Sequence, residues 1–437
     1  MKIAIIGGGL TGMSAAYELA KAGHQCALYE RDDLLGGLAG SFRVDGVYLE
    51  KFYHHLFTSD TAAVKLIEDL GLGGDLVWNP TVTSTYYAGQ IFRLATPMDV
   101  LRFKPLSLIN RFRLGSLAII PRLVRDWRKL EEITAKDWLI KWGGKQVYDI
   151  VWYPLIRNKF GPFADQVAAV WFWNKLKLRG GSRGKGQAEN LGYLVGGFGR
   201  AVEAFEARLR SLGVDVRLAS PVSRVETEGG KATAVVAGGQ REPYDFVLVT
   251  AAPEVLLNIA PSLPEDYRQQ LGKIKYLANA CLIMKLNRSL STTYWLNVND
   301  PNIPFVAVVE HTNMQRPAEY GGHHLAYLSR YMDAADPYYS MSTEELFQAY
   351  LPHLKKMYLG FSPDWVQELY SWREKYTQPV VGLHYSQIRP PFQTPIDGLW
   401  LCCMAQIYPE DRGMNYAVAY GQKVAAEILA AHPARQP

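Results

Sequence analysis

The sequence of 437 residues lacks any uninterrupted run of about 20 apolar residues, the length that a membrane-spanning helix needs. It also lacks the longer apolar run and small-residue cleavage site of a secretory signal, because residues 2–6 already resemble a core strand. With 48% hydrophobic and 20% charged residues, the composition excludes disordered and fibrous classes. We therefore expect a cytoplasmic, globular protein of two or three lobes.

Cysteine is scarce as well. The chain has four cysteines, and their spacing matches neither a metal site nor a disulfide framework. Cys402 and Cys403 are adjacent, but they follow an apolar run, so we interpret them as buried neighbours late in a strand. No metal ion is expected.

Net charge is small, at +5, but it is concentrated in one segment. Residues 101–130 carry eight basic side chains and one acid, Asp126, so this segment is +7 and the rest of the chain is −2. Apolar residues alternate with the basic ones. Three interpretations stay open: peripheral contact with an anionic membrane, a grip on an anionic substrate, or a solvated helix face over the core.

A second basic run, Lys175 to Gly186, is rich in glycine and predicts a mobile loop beside a pocket. Neither basic run is accompanied by a recognition fold for nucleic acid. Nucleic acid is therefore not an expected partner.

A glycine fingerprint follows the first apolar run. Residues 2–6 predict a buried strand, residues 7–12 read Gly-Gly-Gly-Leu-Thr-Gly, and a helical pattern then continues toward Gly23. In such a unit Gly7 permits the sharp turn, Gly9 lets a pyrophosphate approach the backbone, and Gly12 lets the helix pack on the strand. The pyrophosphate then lies at the positive end of the helix.

The second strand of this unit ends in an acid. Glu30 comes 18 positions after Gly12, where a carboxylate can accept hydrogen bonds from the adenosine ribose. Because strand, glycines, helix, strand and acid occur in the required order, the sequence predicts a dinucleotide-binding βαβ unit.

Further blocks resemble the flavin amine oxidase superfamily. They are the acid-arginine pair Glu30-Arg31 with the double glycine Gly36-Gly37, residues 195–200 (Val-Gly-Gly-Phe-Gly-Arg), residues 214–222, and residues 412–417 (Arg-Gly-Met-Asn-Tyr-Ala). Residues 98–145 and 152–161 look most like its protoporphyrinogen oxidase and phytoene desaturase branch. The resemblance covers both chain ends and a middle block.

The resemblance implies that the cofactor is FAD. Arg31 then lies over the nucleotide, Val222 contacts the adenine, and the helix that begins near Met414 points at the flavin ring. The residues predicted to hold FAD are Gly7, Gly9, Leu10, Thr11, Gly12, Glu30, Arg31, Gly36, Gly37, Leu38, Val222, Gly413 and Met414.

The implied fold class is α/β. We expect a Rossmann-like FAD-binding domain built from discontinuous segments, residues 1–60, 186–262 and 381–437. It is interleaved with an α+β substrate-binding domain formed by residues 61–185 and 263–380, which carry most of the tryptophans and many of the tyrosines. An aromatic lining for a flat or apolar substrate and a packed core remain alternatives for these aromatics.

The chain departs from the family pattern after the last strand. The family places an acid there that binds the ribitol or the pyrophosphate, whereas this chain continues Cys402-Cys403-Met404-Ala405. Gln406, Glu410 and Asp411 are the nearby candidates for that contact.

Four residues are predicted to act on the substrate. His54 and His55 follow the second glycine motif and are the titrating groups expected near the ring, and Tyr408 and Arg412 precede the last helix. Amine oxidases hold a lysine near the flavin, but the similar strand here, residues 278–285, places alanine near that position and Lys285 further on. This favours dehydrogenation of a C–C bond over amine oxidation.

The chain has only one glycine fingerprint, which favours reduction of FAD by the substrate itself rather than by NADPH. The leading hypothesis is an FAD-dependent oxidoreductase that desaturates a bulky apolar or anionic small molecule. The alternatives are a flavin-dependent isomerase of the sugar-nucleotide mutase type and a flavoprotein that only binds or carries. The substrate, the electron acceptor and the oligomeric state do not follow from the sequence.

Overall fold

The computed structural model describes residues 1–181 and 189–432. In chain order the strands are β1 (Lys2–Ile6), β2 (Gln25–Tyr29), β3 (Ser41–Val44), β4 (Val47–Glu50), β5 (Leu56–Phe57), β6 (Leu76–Thr81), β7 (Thr83–Tyr87), β8 (Gln90–Arg93), β9 (Glu189–Leu194), β10 (Asp215–Arg217), β11 (Val222–Glu228), β12 (Lys231–Ala237), β13 (Gln240–Pro243), β14 (Phe246–Val249), β15 (Tyr276–Leu286), β16 (Trp295–Val298), β17 (Ala307–Glu310), β18 (His324–Met332), β19 (Val366–Pro379) and β20 (Leu399–Leu401).

The α-helices are numbered in the same way. They are α1 (Leu10–Lys21), α2 (Thr61–Asp69), α3 (Pro97–Arg102), α4 (Leu108–Ser116), α5 (Ile120–Leu123), α6 (Ala135–Gly143), α7 (Lys145–Val147), α8 (Tyr153–Phe160), α9 (Ala169–Gly181), α10 (Gly199–Ser211), α11 (Pro253–Ile259), α12 (Glu265–Gly272), α13 (Pro337–Ser340), α14 (Thr343–Met357), α15 (Tyr385–Ile388) and α16 (Met414–Ala431). Within the described ranges, no helix is both long enough and apolar enough to cross a bilayer.

A five-stranded parallel sheet has the order β10-β2-β1-β14-β20. Apart from the edge strand β10, its strands are short, apolar and almost wholly buried, as expected of a parallel sheet that is covered by other elements. Helices α1, α10 and α16 pack on one face, and α11, α12 and the β11-β12-β13 sheet cover the other. The α/β fold class is therefore confirmed.

A seven-stranded sheet, in the order β19-β15-β18-β17-β16-β7-β8, forms the second large unit. It is antiparallel except where β16 pairs with β7, and α14 packs against one of its faces. The parallel sheet draws on all three predicted FAD segments, and the seven-stranded sheet draws on the two predicted substrate segments. The domain boundaries themselves stay a prediction.

Helix α9 corrects one expectation. Lys175 and Lys177 belong to this helix, although the glycine-rich run Lys175 to Gly186 predicts a loop. The N-terminal part of the helix contains three buried aromatic residues, 171–173, which pack in the core. This packing stabilises the helical conformation, so the helix continues through the lysine positions. Residues 182–186 of the predicted loop lie outside the described residues.

Helices α1 and α16 cross at close range. A Cβ added at Gly421 would lie 2.4 Å from the Thr11 carbonyl oxygen and 2.7 Å from the Ser14 Cβ. Only glycine therefore allows this approach, which brings the N-termini of both helices to one edge of the parallel sheet.

We expect Gly421→Ala to lower the free energy of unfolding by about 1–3 kcal/mol, because the added methyl must push the two helices apart. Denaturant unfolding checks this, with Gly115→Ala in α4 as the matched control. A Cβ at Gly115 would meet nothing within 4 Å, so that change should be neutral or stabilising. Equal destabilisation by both changes would contradict the crowding argument.

Candidate functional site

A cavity of about 340 Å³ opens at one edge of the parallel sheet. It begins where β1, β2 and β14 end, at Ile6, Tyr29 and Thr250. Ligands of open α/β sheets bind in this position, beyond the carboxyl ends of the strands.

The first glycine motif forms the floor of the cavity. Gly7 has a φ of +115°, a backbone conformation that favours glycine, and a Cβ at Gly12 would lie 2.0 Å from the Gly7 carbonyl oxygen. A Cβ at Gly9 would instead come no closer than 4.0 Å to another protein atom. Gly7 and Gly12 therefore serve the fold, whereas Gly9 leaves the backbone open toward the cavity.

Two helix N-termini line the same cavity. Helix α1 begins after Gly9 and α16 begins after Gly413, and neither N-cap residue provides a side-chain hydrogen bond. Leu10 and Thr11 of α1 and Met414 of α16 line the wall. Free backbone N–H groups and the positive ends of two helix dipoles suit an anion and an electron-rich ring edge.

Glu30 lies beside the first of these N-termini. Its buried carboxylate accepts hydrogen bonds from the Gly8 N–H at 2.7 Å and the Asp32 N–H at 3.0 Å, one on each oxygen. Each oxygen keeps a second lone pair, so the group can still accept from a ribose hydroxyl, as the sequence predicts.

The double glycine packs directly on the first glycine motif. Gly36 donates its N–H to the Gly8 carbonyl oxygen at 2.9 Å, and a Cβ at Gly37 would lie 3.2 Å from the Gly9 Cα. Gly36 and Gly37 both have positive φ, at +112° and +56°. Together with Leu38 they line the cavity, and Val222 lines its nucleotide end.

Arg31 reaches from the end of β2 to β19. Its guanidinium forms an ion pair with Glu374 at 2.6 Å, and both residues line the cavity. The pair therefore ties the nucleotide end of the cavity to the seven-stranded sheet.

We expect Glu374→Gln to accelerate FAD loss by no more than about fivefold, because a partly exposed ion pair contributes only about 0–1 kcal/mol. The difference from wild type should shrink as salt is added. FAD dissociation followed by fluorescence checks this, with Glu254→Gln as control. Glu254 pairs with Lys375 at 2.7 Å on the next residue of β19 but does not line the cavity. An identical effect in both variants would argue against the Arg31 contact.

The opposite end of the cavity is lined by His54, Arg412 and the start of α16. Nδ1 of His54 lies 2.6 Å from the Phe52 carbonyl oxygen, and since a carbonyl only accepts, Nδ1 carries the proton. Burial, and secondarily the charge of Arg412, lowers the pKa of His54 to about 4. The ring is therefore neutral at physiological pH, with Nε2 as an acceptor.

Arg412 is held by two neutral partners from neighbouring strands. Its Nε donates to the Gln378 side chain at 3.0 Å, and its Nη2 donates to the Tyr331 hydroxyl at 2.6 Å. Neither partner neutralises the guanidinium, so its positive charge is available at this end of the cavity.

A charge cluster around the buried carboxylate of Asp411 lies next to Arg412, and the sequence did not predict it. Asp411 pairs with Lys175 and accepts from the Trp171 indole N–H at 3.0 Å. Lys159 lies over the rings of Trp171 and Tyr331. Burial opposes ionisation of Asp411, but Lys175, Lys159 and Arg412 outweigh it and hold the pKa of this carboxyl well below its usual range.

Two of the predicted catalytic residues lie outside the cavity lining. His55 contacts the Tyr294 hydroxyl at 3.0 Å, and Tyr408 packs its ring against Trp127 and Tyr385. Their roles stay predictions from sequence. Lys285 is paired with Asp45 and Glu368 and does not line the cavity either.

The missing acid after the last strand is not replaced by Gln406. Its amide accepts from the Cys403 N–H and donates to the carbonyls of Leu401 and Pro391, so it holds its own loop together. Met404 lines the cavity instead.

The basic segment, residues 101–130, does not contribute to this cavity. None of its residues lines it, so the structure does not support the interpretation that the segment binds an anionic substrate there.

A glycine-floored cavity between two helix N-termini, at the edge of a parallel sheet, defines a dinucleotide-binding fold. The family of flavin-containing amine oxidoreductases matches residues 10–429, and the chain belongs to this family. Its cofactor is FAD. The residues present fit that cofactor, since Gly9 leaves room for the pyrophosphate and the cavity extends from Val222 to Arg412.

The chain is similar to several characterised proteins. It is 25% identical over 293 residues to coproporphyrinogen III oxidase of Staphylococcus aureus, which is 59% of this chain and 61% of that protein. It is 32% identical over 183 residues to zeta-carotene desaturase of Arabidopsis thaliana, 36% of this chain and 33% of that protein. A solved structure assigned as protoporphyrinogen oxidase, from Exiguobacterium, superposes with a TM-score of 0.78 at 20% identity, over 99% of both chains.

Proposed function

We propose that the protein is an FAD-dependent oxidoreductase that dehydrogenates a bulky, largely apolar small molecule carrying an acidic group. The observation that carries this proposal is the charge cluster at the His54 end of the cavity. Three cations, Arg412, Lys159 and Lys175, act on the buried carboxylate of Asp411, and Arg412 lines the cavity. A guanidinium whose hydrogen-bond partners are neutral favours an anionic group of the substrate at this end of the cavity.

Two aromatic rings beside the cations suit the apolar part of the substrate. Trp171 and Tyr331 pack against Lys159, and Tyr331 also accepts from Arg412 of the cavity lining, although neither ring lines the cavity itself. The names of two relatives fit a bulky apolar substrate, since one acts on a coproporphyrinogen and another on a carotene, although a carotene carries no acidic group.

Bound FAD supplies a two-electron acceptor. Dehydrogenation breaks two C–H bonds and forms one C=C bond. FAD would supply the acceptor for the hydride equivalent, and one proton remains for a residue of this chain to remove. The neutral Nε2 of His54 accepts that proton, while Arg412 orients the acidic group of the substrate.

The test is anaerobic mixing of the FAD-loaded protein with coproporphyrinogen III, a carotene and putrescine. The proposal expects the oxidised-flavin absorption to disappear with the acidic porphyrinogen, and the product to be lighter by two hydrogen atoms per turnover. Esterifying the substrate carboxylates should raise KM, because the cations lose their partner. Bleaching by putrescine alone would overturn the proposal in favour of amine oxidation.

Two alternatives give different results in the same experiment. An isomerase of the sugar-nucleotide mutase type would need an external reductant and would return a product of unchanged mass. A binding or carrier protein would change the flavin spectrum without turnover.

A further inference from the structure

Helices α4 and α5 leave an apolar surface uncovered. In the described part of the chain, eight large apolar side chains are more than half exposed, and six of them fall between residues 98 and 123. These six are 52–71% exposed: Met98, Leu108, Ile109, Phe112, Ile119 and Leu123. Single exposed apolar residues are common on proteins, but a cluster of this kind indicates a contact surface.

Folding does not explain this cluster. Helix α4 packs on the core through the opposite side, where Leu114 and, just after the helix, Leu117 are buried. Leu108, Ile109 and Phe112 follow one another at helical spacing on the side that faces solvent. A solvated helix face usually carries polar residues in these positions, so the exposed apolar residues of α4 favour a contact surface over the third interpretation of the segment.

The same surface is strongly cationic. Seven basic side chains between residues 101 and 130 are exposed, and Asp126 is the only acid of that segment. The seven are Arg102, Lys104, Arg113, Arg122, Arg125, Arg128 and Lys129. Asp126 pairs with Arg128, which leaves a large excess of positive charge around the apolar cluster.

We propose that this surface docks on a bilayer rich in anionic phospholipid. We call it the α4–α5 face: Leu108, Ile109, Phe112, Ile119 and Leu123 with the seven exposed cations. The apolar side chains enter the boundary between headgroups and acyl chains, and the cations meet the phosphates. The contact is peripheral, because α4 is only about 14 Å long at 1.5 Å per residue and a hydrocarbon core is about 30 Å thick.

The α4–α5 face is linked to the FAD cavity by a single helix. Trp173 of α9 donates its indole N–H to the Pro121 carbonyl of α5 at 2.8 Å. Two residues earlier, Trp171 donates to Asp411, the neighbour of Arg412. Docking therefore places the lipid one helix away from the ring end of the cavity, which suits an apolar substrate if the proposed function holds. The docking proposal itself does not depend on that reaction.

The experiment is co-sedimentation of the full FAD-loaded chain with vesicles. Vesicles containing phosphatidylglycerol should bind the protein, pure phosphatidylcholine should bind it far less, and added salt should weaken binding. The double change Ile109→Ser/Phe112→Ser should lower binding by at least about tenfold. The matched control is Leu359→Ser, because Leu359 is 96% exposed and lies outside the α4–α5 face. Flavin content and melting temperature show that each variant is folded.

Three outcomes would overturn the proposal. The first is a wild-type protein that does not bind phosphatidylglycerol vesicles even at low salt. The second is an equal loss of binding in the double variant and in Leu359→Ser. The third is a concentration-dependent dimer that the double variant abolishes while vesicle binding is absent, which would assign the α4–α5 face to a second copy of this chain.

Discussion

Gly9→Ala is expected to weaken FAD binding by about a hundredfold while leaving the apoprotein folded. The added methyl meets no protein atom closer than 4.0 Å, and the backbone at Gly9, with φ of −72°, is open to alanine. The methyl does occupy the space through which a pyrophosphate reaches the N–H groups of α1. Loss of one or two charge-assisted hydrogen bonds, each about 1.5–3 kcal/mol, accounts for the expected factor.

The matched comparison is Gly12→Ala in the same turn. Its methyl would lie 2.0 Å from the Gly7 carbonyl oxygen, so the strand-to-helix turn must move and stability falls together with FAD binding. Titration of each apoprotein with FAD, alongside thermal melting, separates the two effects. If Gly9→Ala bound FAD like wild type, the cofactor would not approach the backbone at Gly9, and the assignment of the cavity floor would be wrong.

The part of the site that is built from consecutive residues could be predicted from the sequence. The first βαβ unit is local, so strand, turn, helix and Glu30 follow from about thirty consecutive residues. The predicted start of the last helix at Met414 is likewise confirmed, because glycine precedes it and an apolar helical pattern follows.

The end of the cavity lined by His54 and Arg412 could not be predicted in the same way. Arg412 meets Gln378 and Tyr331, which lie 34 and 81 residues away in sequence, and Trp171 meets Asp411 across 240 residues. No local spacing relates residues that different sheets and helices bring together. The sequence therefore indicated Arg412 as a candidate but not the cations around it.

Adjacent residues with identical chemistry pose the opposite difficulty. His54 and His55 are equivalent in the sequence argument, because both follow the second glycine motif. Local backbone direction separates them: His54 lines the cavity, whereas His55 turns toward Tyr294 and the rings of Phe57 and Trp295. Side chains of adjacent residues leave the backbone in different directions, so only one of the two histidines lines the cavity.

His54→Gln is expected to lower kcat by about a hundredfold or more, with FAD content unchanged, because it removes the proton acceptor of the proposed reaction. His55→Gln, which changes the same residue type one position along, should alter kcat far less. Steady-state rates with whichever substrate bleaches the flavin check this pair. A larger loss in His55→Gln would reverse the assignment.

The pH dependence of the rate is a second, independent test of His54 as the proton acceptor. A neutral imidazole is the active form, so activity is lost as pH falls through the pKa of this residue, about 4. An unperturbed histidine would already lose activity near pH 6.5. The wild-type rate should therefore stay flat down to about pH 5, because burial and the charge of Arg412 keep the ring deprotonated. An acid limb near pH 6.5 that His54→Gln removes would keep His54 as the base but contradict its burial beside Arg412.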